Sequence, residues 1–282
     1  MKSMESNLTS VRPVSPAAPY IGGKRNLATR ICSMIDAVPH DIYVEPFVGM
    51  GGVFLRRSLR PGVEVINDLS GDVATLYRVL QEHYPYFIDM LRWRISSRSE
   101  FERLLAIPAG RLTDLQRAAR FLYLQRLAFG GKVAGRSFGV SKATQRRFDI
   151  TKLEPMLADI NERLAGVVVE QLPYAEVIRL YDSDSTLFYL DPPYWGCEKD
   201  YGRDAFERAD FERLADLLAG IAGSFILSIN DTEGAREVFA RFDIDTVETT
   251  WTIGTNSEGG SKRVTELVVS AGRPPSAQAT FL

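Results

Sequence analysis

TLFYLDPPYWG, residues 186–196, joins an apolar run of the kind that forms a buried strand to an acid, two prolines and two aromatic residues. An acid is costly to bury, and each proline removes a backbone hydrogen-bond donor. A strand ending in a Pro-Pro turn accounts for the prolines, but not for Asp191 and Tyr194 on either side of them. A given tetrapeptide with two prolines arises by chance in about one chain in a thousand of this length. The stretch therefore indicates a strand with a functional group at its carboxyl end.

Apolar, β-rich runs of this type alternate with helical patterns along the chain. Strands are predicted at residues 41–46, 63–68, 166–171, 186–191, 224–230 and 264–270, and helices at 26–35, 72–81, 151–164, 210–218 and 232–239. This alternation favours an α/β fold with a mostly parallel sheet covered on both faces. Ligands of such sheets bind beyond the carboxyl ends of the strands, so we expect one shared site there.

Residues 84–150 interrupt the alternation. They show helical periodicity, notably in LQRAARFLYLQRLAF, without a strong buried strand. We therefore predict an inserted, mainly helical second domain at 84–150, separate from the strand ends. The other expected parts are a flexible N-terminus, the main domain in two pieces and a flexible tail, at residues 1–17, 18–83 with 151–272, and 273–282.

The composition excludes several classes of protein. Hydrophobic residues make up 45% and charged residues 25%, as in an ordinary globular chain, and no apolar run is long enough to predict a membrane span. The two cysteines, Cys32 and Cys197, suggest no disulfide framework and favour a reducing cytoplasm. Together with His40 and His83 they have no metal-ligand spacing, so no metal is predicted.

The distribution of charge is uneven although the net charge is only −2. Lysine and arginine dominate residues 117–152, where Asp149 is the only acid. A generic basic run is usually a solvated helix face. This one continues through a glycine-rich loop that carries aromatic residues, AFGGKVAGRSFGVSKATQRRF, which is more typical of a surface that contacts phosphates.

Two further motifs follow predicted strands. In EPFVGMGG, residues 45–52, Gly49 and Gly51 allow a tight turn and a close backbone approach to a ligand, although an ordinary turn would look the same. A dinucleotide fingerprint would need a third glycine where the chain has Phe54, which argues against a nicotinamide enzyme. Asp68, at the end of VEVIND, is equally compatible with a ribose acceptor and with a helix N-cap.

Taken in order, these motifs resemble those of the Dam-type DNA adenine methyltransferases, which use S-adenosylmethionine. The resemblance extends from about Tyr20 to Ser270 and rests on PYIGGKRNL, EPFVGMGGVF, IND, DPPYWG, FILSINDT and RVTELVVS. It implies a Rossmann-like methyltransferase sheet with a target-recognition insert, since RLAFGGKVAGRSFGV is similar to the loop and hairpin of that domain. It also implies a bacterial or phage-encoded enzyme, of phage, prophage or restriction-modification type.

The resemblance assigns roles to individual residues. The catalytic residues it implies are Asp191, Pro192, Pro193 and Tyr194. The cofactor-binding residues it implies are Tyr20, Lys24, Glu45, Pro46, Phe47, Gly49, Gly51, Asp68, Tyr174 and Asp191. Tyr174 is included because the family often has an acidic-aromatic pair where this chain reads Gln171-Leu172-Pro173-Tyr174. The DNA-binding residues are expected to be Lys132, Arg136, Lys142, Arg146 and Arg147.

The chemistry explains why an acid should precede the prolines. The amino nitrogen of adenine is a poor nucleophile because its lone pair is delocalised into the ring. Acceptors on its two hydrogens, here the Asp191 carboxylate and the Pro192 carbonyl, would aim that lone pair, and the prolines would hold them in place. Tyr194 is expected to stack on a base taken out of the helix. In the insert, Arg136 is expected to contact a base edge, with the other cations over phosphates.

Double-stranded DNA is the partner that the resemblance implies, with no membrane. It leaves open a cognate restriction endonuclease, and either a monomer or a weak dimer. An RNA adenine methyltransferase would share the acceptor clamp, and a catalytically silent DNA-binding relative would share the insert. The complete DPPY motif disfavours the silent relative, and the basic loop disfavours RNA.

Overall fold

The computed structural model describes residues 8–20, 22–24, 26–139, 148–198, 206–251 and 262–270. Within these residues, seven strands form one sheet and two short strands form a separate pair. The sheet comprises β2 (Ile42–Glu45), β4 (Val63–Asn67), β5 (Val168–Glu170), β6 (Thr186–Leu190), β7 (Ser224–Asn230), β8 (Asp243–Trp251) and β9 (Lys262–Ser270), and the pair is β1 (Thr9–Ser10) with β3 (Leu59–Arg60). The helices are α1 (Ala28–Asp36), α2 (Gly71–Glu82), α3 (Tyr84–Arg92), α4 (Arg98–Ala106), α5 (Asp114–Leu127), α6 (Ile150–Arg163), α7 (Tyr174–Tyr181), α8 (Arg208–Leu218) and α9 (Glu233–Val238). None of the described helices is long and apolar enough to cross a bilayer.

The sheet has the strand order β5-β4-β2-β6-β7-β9-β8. The five strands from β5 to β7 are parallel, and β9 runs antiparallel to both of its neighbours. All five residues of β6 are buried, as expected for a parallel strand covered on both faces. The predicted α/β fold with a mostly parallel sheet is confirmed.

The strand order reverses beside β2. From β2 the chain moves outward through β4 to β5, and it then returns to form β6 on the other side of β2. A crevice opens at such a reversal beyond the carboxyl ends of the two central strands. Glu45 ends β2 and Asp191 directly follows β6, so both acids are brought to this crevice.

The sequence patterns identify every other strand of the large sheet but do not predict β8, and they also do not predict α7. The sequence of β8, DIDTVETTW, mixes acids and threonines with few apolar residues. An edge strand paired only with β9 needs one apolar face, and Val247 is buried while Glu248 is exposed. Helix α7 has eight residues and buries only Val177 and Ile178, which is too short a pattern to show a period.

The described part of the N-terminal segment differs from the expected flexible lead-in. Strand β1 pairs with β3, with Thr9 opposite Arg60 and Ser10 opposite Leu59. Beyond it, Val14, Ala17 and Ala18 are buried in the hydrophobic core. These small side chains are too few and too irregular to show a period, so only their packing partners reveal them as core. The predicted tail at 273–282 lies outside the described residues.

The insert is helical as predicted, but its described part does not have a core of its own. Helices α2 and α3 are separated by His83 alone. Buried residues of α3, α4 and α5, including Phe87, Phe101 and Leu124, belong to the same hydrophobic cluster as Ile66 of β4. The boundary expected at residue 84 therefore does not separate two independent cores, because the insert packs on the helix layer of the sheet.

A buried ionic cluster lies at the amino end of β4, away from the crevice. Glu64 is fully buried and accepts from Arg163 at 2.7 Å on each carboxylate oxygen. Arg57 and Arg60 contact the same carboxylate at 3.2 and 3.3 Å. His40 extends the group: Nδ1 lies 2.7 Å from the Val38 carbonyl and Nε2 lies 3.1 Å from Arg57. We call these residues the Glu64 cluster.

Candidate active site

A cavity of about 910 Å³ lies at the carboxyl ends of the central strands. Its volume is within the range of small-molecule sites. Ten of the residues assigned to catalysis or cofactor binding line it: Tyr20, Lys24, Glu45, Pro46, Phe47, Gly49, Asp68, Tyr174, Asp191 and Pro193. Three others do not line it: Gly51, Pro192 and Tyr194. The fold thus brings residues from five separate parts of the sequence into one cavity.

The loop after β2 turns back through two glycines with positive φ. Gly49 has φ 50° and Gly51 has φ 72°, a region that favours glycine. A Cβ at Gly49 would lie 2.9 Å from Tyr20 Cε1, and one at Gly51 would lie 2.8 Å from Tyr77 Oη. Gly49 is thus required where the loop meets Tyr20 at the cavity. Gly51 is required by packing against α2, which explains why it does not face the cavity.

Asp68 organises the end of β4. Its Oδ2 accepts from Gly49 N at 2.9 Å and its Oδ1 accepts from Ser70 N at 2.8 Å. The N-cap of α2 is Ser70, so Asp68 is not the helix cap that was the alternative. Burial raises the pKa of Asp68 to about 6, while the two backbone donors lower it. Each carboxylate oxygen keeps a lone pair that can accept from a ligand in the cavity.

Asn67, which precedes Asp68, fixes three strand ends and was not singled out from the sequence. Its Nδ2 donates to the carbonyls of Pro46 at 2.9 Å and Leu172 at 3.0 Å, and its Oδ1 accepts from Leu172 N at 2.8 Å. These bonds join the loops that follow β2, β4 and β5. The IND motif contains Asn67, but only its partners reveal that it braces the floor of the cavity.

Lys24 forms the centre of a buried ionic network. Its Nζ lies 2.9 Å from Asp191 Oδ1, 2.9 Å from Glu266 Oε2 and 2.8 Å from Tyr194 Oη. Burial opposes its charge, but the neighbouring groups, Asp191 first, outweigh burial and raise its pKa above the ordinary value. The three ammonium hydrogens are matched by three acceptors. Lys24 therefore lies at the cavity wall with its ammonium hydrogens directed at these three partners, and its contact with the cofactor stays a prediction.

Tyr194 is placed differently from the expected stacking platform. Its side chain is buried at 6% exposure, and its hydroxyl donates to Glu266 Oε1 at 2.8 Å. Lys24 Nζ lies 4.4 Å from the ring centroid. A buried phenol needs hydrogen-bond partners, and the network around Lys24 supplies them. In this structure Tyr194 is a hydrogen-bonding member of the network rather than an exposed ring.

Asp191 is the carboxylate of the network that lines the cavity, and it is more exposed than Lys24 or Glu266. Its side chain is 21% exposed, compared with 1% for Lys24 and 3% for Glu266. Burial raises the pKa of Asp191 to about 6, and Lys24 works in the opposite direction. Pro192 and Pro193 are buried behind it. The arrangement presents one carboxylate to the cavity from a stiff, well-packed loop.

The far end of this loop is anchored by Asn230, which the sequence did not indicate as a site residue. Asn230 Oδ1 accepts from Trp195 N at 2.8 Å, and its Nδ2 donates to Trp195 O at 3.0 Å. The Trp195 ring packs on Phe211 at 4.9 Å, and the Arg208 guanidinium lies 3.9 Å from its centroid. The segment from Asp191 to Trp195 is therefore held at both ends.

Three aromatic side chains form one side of the cavity. Phe47 lies 5.5 Å from Tyr174 and 6.0 Å from Phe206, and Tyr174 lies 5.8 Å from Phe206. The Tyr174 hydroxyl donates to Asp210 Oδ1 at 3.0 Å, which orients its ring. Phe206 was missed because it precedes α8 as a lone aromatic in a polar stretch. This group can pack against a flat, apolar ligand ring.

Glu45 adds a buried carboxyl at the cavity. It is 2% exposed, and it accepts from Tyr43 Oη at 3.0 Å. Burial raises the pKa of Glu45 to about 8, an effect that the Tyr43 hydrogen bond only partly offsets. Among the described residues, no group of histidine, cysteine and acidic side chains is placed to hold a metal ion.

The assigned DNA-binding residues fall into three groups. Lys132 is exposed. Arg136 is half-buried: it donates to Gln125 Oε1 at 2.9 Å and to the Lys132 carbonyl at 3.2 Å, and it lies 5.4 Å from the Phe121 ring centroid. Its guanidinium thus braces its own loop, and its contact with a base edge stays a prediction. The remaining three lie outside the described residues: Lys142, Arg146 and Arg147.

The insert also contributes to the cavity, although it was expected to be separate from the strand ends. Gly130 and Gly131 line the cavity together with Arg126. Gln125 connects this loop to the N-terminal motif, donating from Nε2 to Pro19 O at 2.9 Å and to Gly131 O at 2.7 Å. Residues of the insert and of the N-terminal motif therefore share a wall of the cavity.

The chain is similar to several known proteins. The chain is 25% identical to the type II methyltransferase M1.LlaDCHI of Lactococcus lactis subsp. cremoris, over 96% of this chain and 99% of the relative. It is 28% identical to a DNA adenine methylase of Vibrio cholerae, over 86% and 91% of the two chains. A solved structure, a putative RNA methyltransferase from Pyrococcus horikoshii, matches with a TM-score of 0.39 at 8% identity, over 91% of each chain.

The family model for D12 class N6 adenine-specific DNA methyltransferases matches residues 20–253. This range includes the glycine loop after β2, Asp68, the whole insert and the DPPY segment. The chain therefore belongs to the D12 class N6 adenine-specific DNA methyltransferases, and S-adenosylmethionine is its methyl donor.

Proposed function

We propose that the Asp191 carboxylate and the Pro192 carbonyl accept hydrogen bonds from the amino group of an adenine taken out of double-stranded DNA. The observation that carries this proposal is that Asp191 lines the cavity at the strand reversal and that its side chain is 21% exposed, compared with 1% for Lys24 and 3% for Glu266. Two acceptors on the amino hydrogens localise the nitrogen lone pair, so that it becomes the nucleophile. The chain needs no covalent intermediate for this step.

The position of Asp191 supports the proposal that the adenine is taken out of the helix. The carboxylate lies on the wall of a cavity, where an amino group paired inside a duplex cannot reach it. Enzymes that modify a base in this situation rotate its nucleotide out of the stack. Tyr194 is buried, so the proposal assigns it to holding Asp191 rather than to stacking on the base.

The cavity also fits S-adenosylmethionine, which supplies an electrophilic methyl group when it is bound. Asp68 is a suitable acceptor for the two ribose hydroxyls. The aromatic group of Phe47, Tyr174 and Phe206 offers a surface for the adenine ring. Two acidic side chains at the cavity, Asp68 and Asp191, suit a ligand that carries positive charge.

Double-stranded DNA is the substrate form that we propose, with the insert as its recognition element. Lys132 is exposed for phosphate contact, and Lys142, Arg146 and Arg147 are assigned the same role from the sequence. The proposed chemistry needs neither a restriction endonuclease nor a second copy of the chain, because each proposed contact to the adenine lies in one chain. We place the reaction in the cytoplasm, with DNA.

The proposal is tested in two steps. Genomic DNA that the purified enzyme has methylated is first sequenced for N6-methyladenine, which gives the preferred site. Duplexes with 2-aminopurine at the target adenine are then titrated with enzyme, and unstacking of that base should raise its fluorescence. A matched duplex with 2-aminopurine two positions away is the control. Equal fluorescence from both duplexes would contradict base flipping, and equal methyl incorporation into RNA would favour the RNA alternative.

A further inference from the structure

Glu266 is a buried carboxylate of β9 to which the family motifs assign no role. It is 2% exposed, yet both of its oxygens contact the network of Asp191. Oε2 accepts from Lys24 Nζ at 2.9 Å, and Oε1 accepts from Tyr194 Oη at 2.8 Å. A buried carboxylate persists only with such partners, and here the partners are the two groups beside Asp191.

The charge balance of the network shows what Glu266 contributes. The Lys24 ammonium has two carboxylate partners at 2.9 Å, Asp191 and Glu266. With Asp191 as its only counterion, the ammonium would be drawn wholly to the carboxylate that must accept from the substrate. A second carboxylate shares that attraction, so that Asp191 keeps acceptor strength on the side facing the cavity.

The strand register adds a geometric reason. Glu266 lies opposite Asn230 in the antiparallel pair of β7 and β9. Asn230 binds both backbone polar groups of Trp195, while Glu266 binds the Tyr194 hydroxyl. Asn230 and Glu266, which are paired across the two strands, thus form hydrogen bonds with consecutive residues of the loop that begins at Asp191.

We propose that Glu266 is a positioning residue for methyl transfer: by holding the Lys24 ammonium and the Tyr194 hydroxyl, it fixes the Asp191 carboxylate and leaves it able to accept from the adenine amino group. This inference rests on the proposed acceptor role of Asp191. Glu266 itself does not line the cavity and acts only through its partners.

The electrostatics around Asp191 predict the direction in which the pH dependence of turnover should shift when the network is altered. The charged and titratable groups that act on Asp191 come from several elements: Lys24, Tyr194, Tyr189 of β6, Glu45 of β2 and Glu266 of β9, with Ser228 of β7 as a hydrogen-bond donor. Burial raises the pKa of Asp191 to about 6, Lys24 lowers it and Glu266 raises it. Because the carboxylate must be ionised to accept, turnover should fall as the pH drops through about 6. Removing the charge of Glu266 should move this acid limb to lower pH, and Lys24→Met should move it to higher pH.

The experiment compares Glu266→Gln with Glu64→Gln, which alters an equally buried carboxylate in the Glu64 cluster at the other end of the sheet. Glu266→Gln should lower kcat on the order of tenfold, since loss of positioning slows the step without weakening binding. It should leave KM for DNA and the calorimetric Kd of the cofactor unchanged, and it should shift the acid limb downward. Glu64→Gln should lower Tm and should leave kcat and the acid limb of the pH profile unchanged.

Glu266→Asp keeps the negative charge but shortens the side chain by one methylene group. It should therefore lower kcat and leave the acid limb of the pH profile at its original pH.

A readout without turnover is the carbon-13 titration of the Asp191 carboxyl in the cofactor-free protein, which should move to lower pH in Glu266→Gln. Wild-type kcat together with an unshifted limb and titration in folded Glu266→Gln would overturn the inference. A loss of activity that only follows a loss of folded protein would also overturn it. If Glu266→Gln does not fold, Tyr194→Phe removes one partner and keeps the ring, and full kcat in that variant would overturn it. An active Asp191→Ala enzyme would instead refute the acceptor role itself.

Discussion

Two buried ionic clusters at opposite ends of the sheet use the same side-chain chemistry for different purposes. In the Glu64 cluster, one carboxylate contacts three arginines, and the carboxylate is closed off from solvent. In the network around Lys24, one ammonium contacts two carboxylates, and one of these, Asp191, reaches the cavity. An excess of cations around a closed carboxylate braces the fold, whereas a surplus carboxylate at a cavity can act on a ligand.

The two clusters also differ in which hydrogen-bonding groups remain without a partner. In the Glu64 cluster, Arg57 Nε and Arg163 Nε are buried and have no hydrogen-bond partner within the part of the chain that the structure describes. In the Lys24 network, the group that can still accept a hydrogen bond is the Asp191 carboxylate, which lines the cavity. A buried ion pair is weak evidence for stability by itself. Its role has to be judged from where its remaining hydrogen-bonding capacity points.

The largest effect is expected from Glu64→Ala, which tests the bracing role. Removing the carboxylate leaves buried guanidinium groups without a counterion, and this should lower the free energy of unfolding by about 3–5 kcal/mol. Urea denaturation measures it. Calorimetry of the folded protein should show unchanged cofactor affinity, and a fall in that affinity comparable to the loss of stability would contradict the separation of the two clusters.

Asp191→Ala tests the proposed role of Asp191 as acceptor for the adenine amino group. It should reduce the rate of methyl transfer on the order of a hundredfold or more, because a preorganised acceptor is lost. Single-turnover transfer of labelled methyl groups measures the step directly. Asp191→Asn is the matched control: it keeps an oxygen acceptor but removes the charge, so its rate should lie between the two. A folded Asp191→Ala enzyme with near-normal turnover would refute the assignment.

Asp68→Ala should weaken cofactor binding by about 1.5–3 kcal/mol, the amount typical of a hydrogen bond to a charged group. The loss combines the ligand contact with the bond that holds Gly49 N. Isothermal calorimetry measures the affinity, and gel-shift titration should show that DNA binding is retained. Unchanged cofactor affinity would mean that Asp68 only supports the loop.

The smallest effects are expected in the insert. Arg136 and Lys132 lie on one loop, and we expect Arg136 to stabilise the loop and Lys132 to bind DNA. Arg136→Ala should lower stability by about 0.5–1.5 kcal/mol through the loss of its bond to Gln125. Lys132→Ala should leave stability unchanged, weaken binding to all DNA sequences and reduce the salt slope by about 1. Sequence-selective loss of binding in Arg136→Ala would confirm its expected role as a base reader and contradict a purely bracing role.

Several features were accessible from the sequence because they depend on local chemistry. The apolar composition of β2, β4, β6 and β7 indicates buried strands of a parallel sheet. The acids Asp68 and Asp191 can be assigned to strand ends because each directly follows such a run. The order of the motifs identified the family. The half-exposed β8, the short α7 and the packed N-terminal segment were not accessible, because their apolar residues are few and acquire a face only when a neighbour covers it.

The sequence by itself determined the fold class, the family and which acid stands at the end of β6, since composition and spacing encode these over a few consecutive residues. Only the tertiary structure decided which groups surround that acid. Lys24, Tyr194 and Glu266 are up to 242 residues apart along the chain, and Glu266 became a partner of Asp191 through the pairing of β9 with β7. The tertiary structure likewise turned Tyr194 inward and fixed Arg136 to its own loop. Burial and hydrogen bonding between distant segments set these roles, and no local pattern records them.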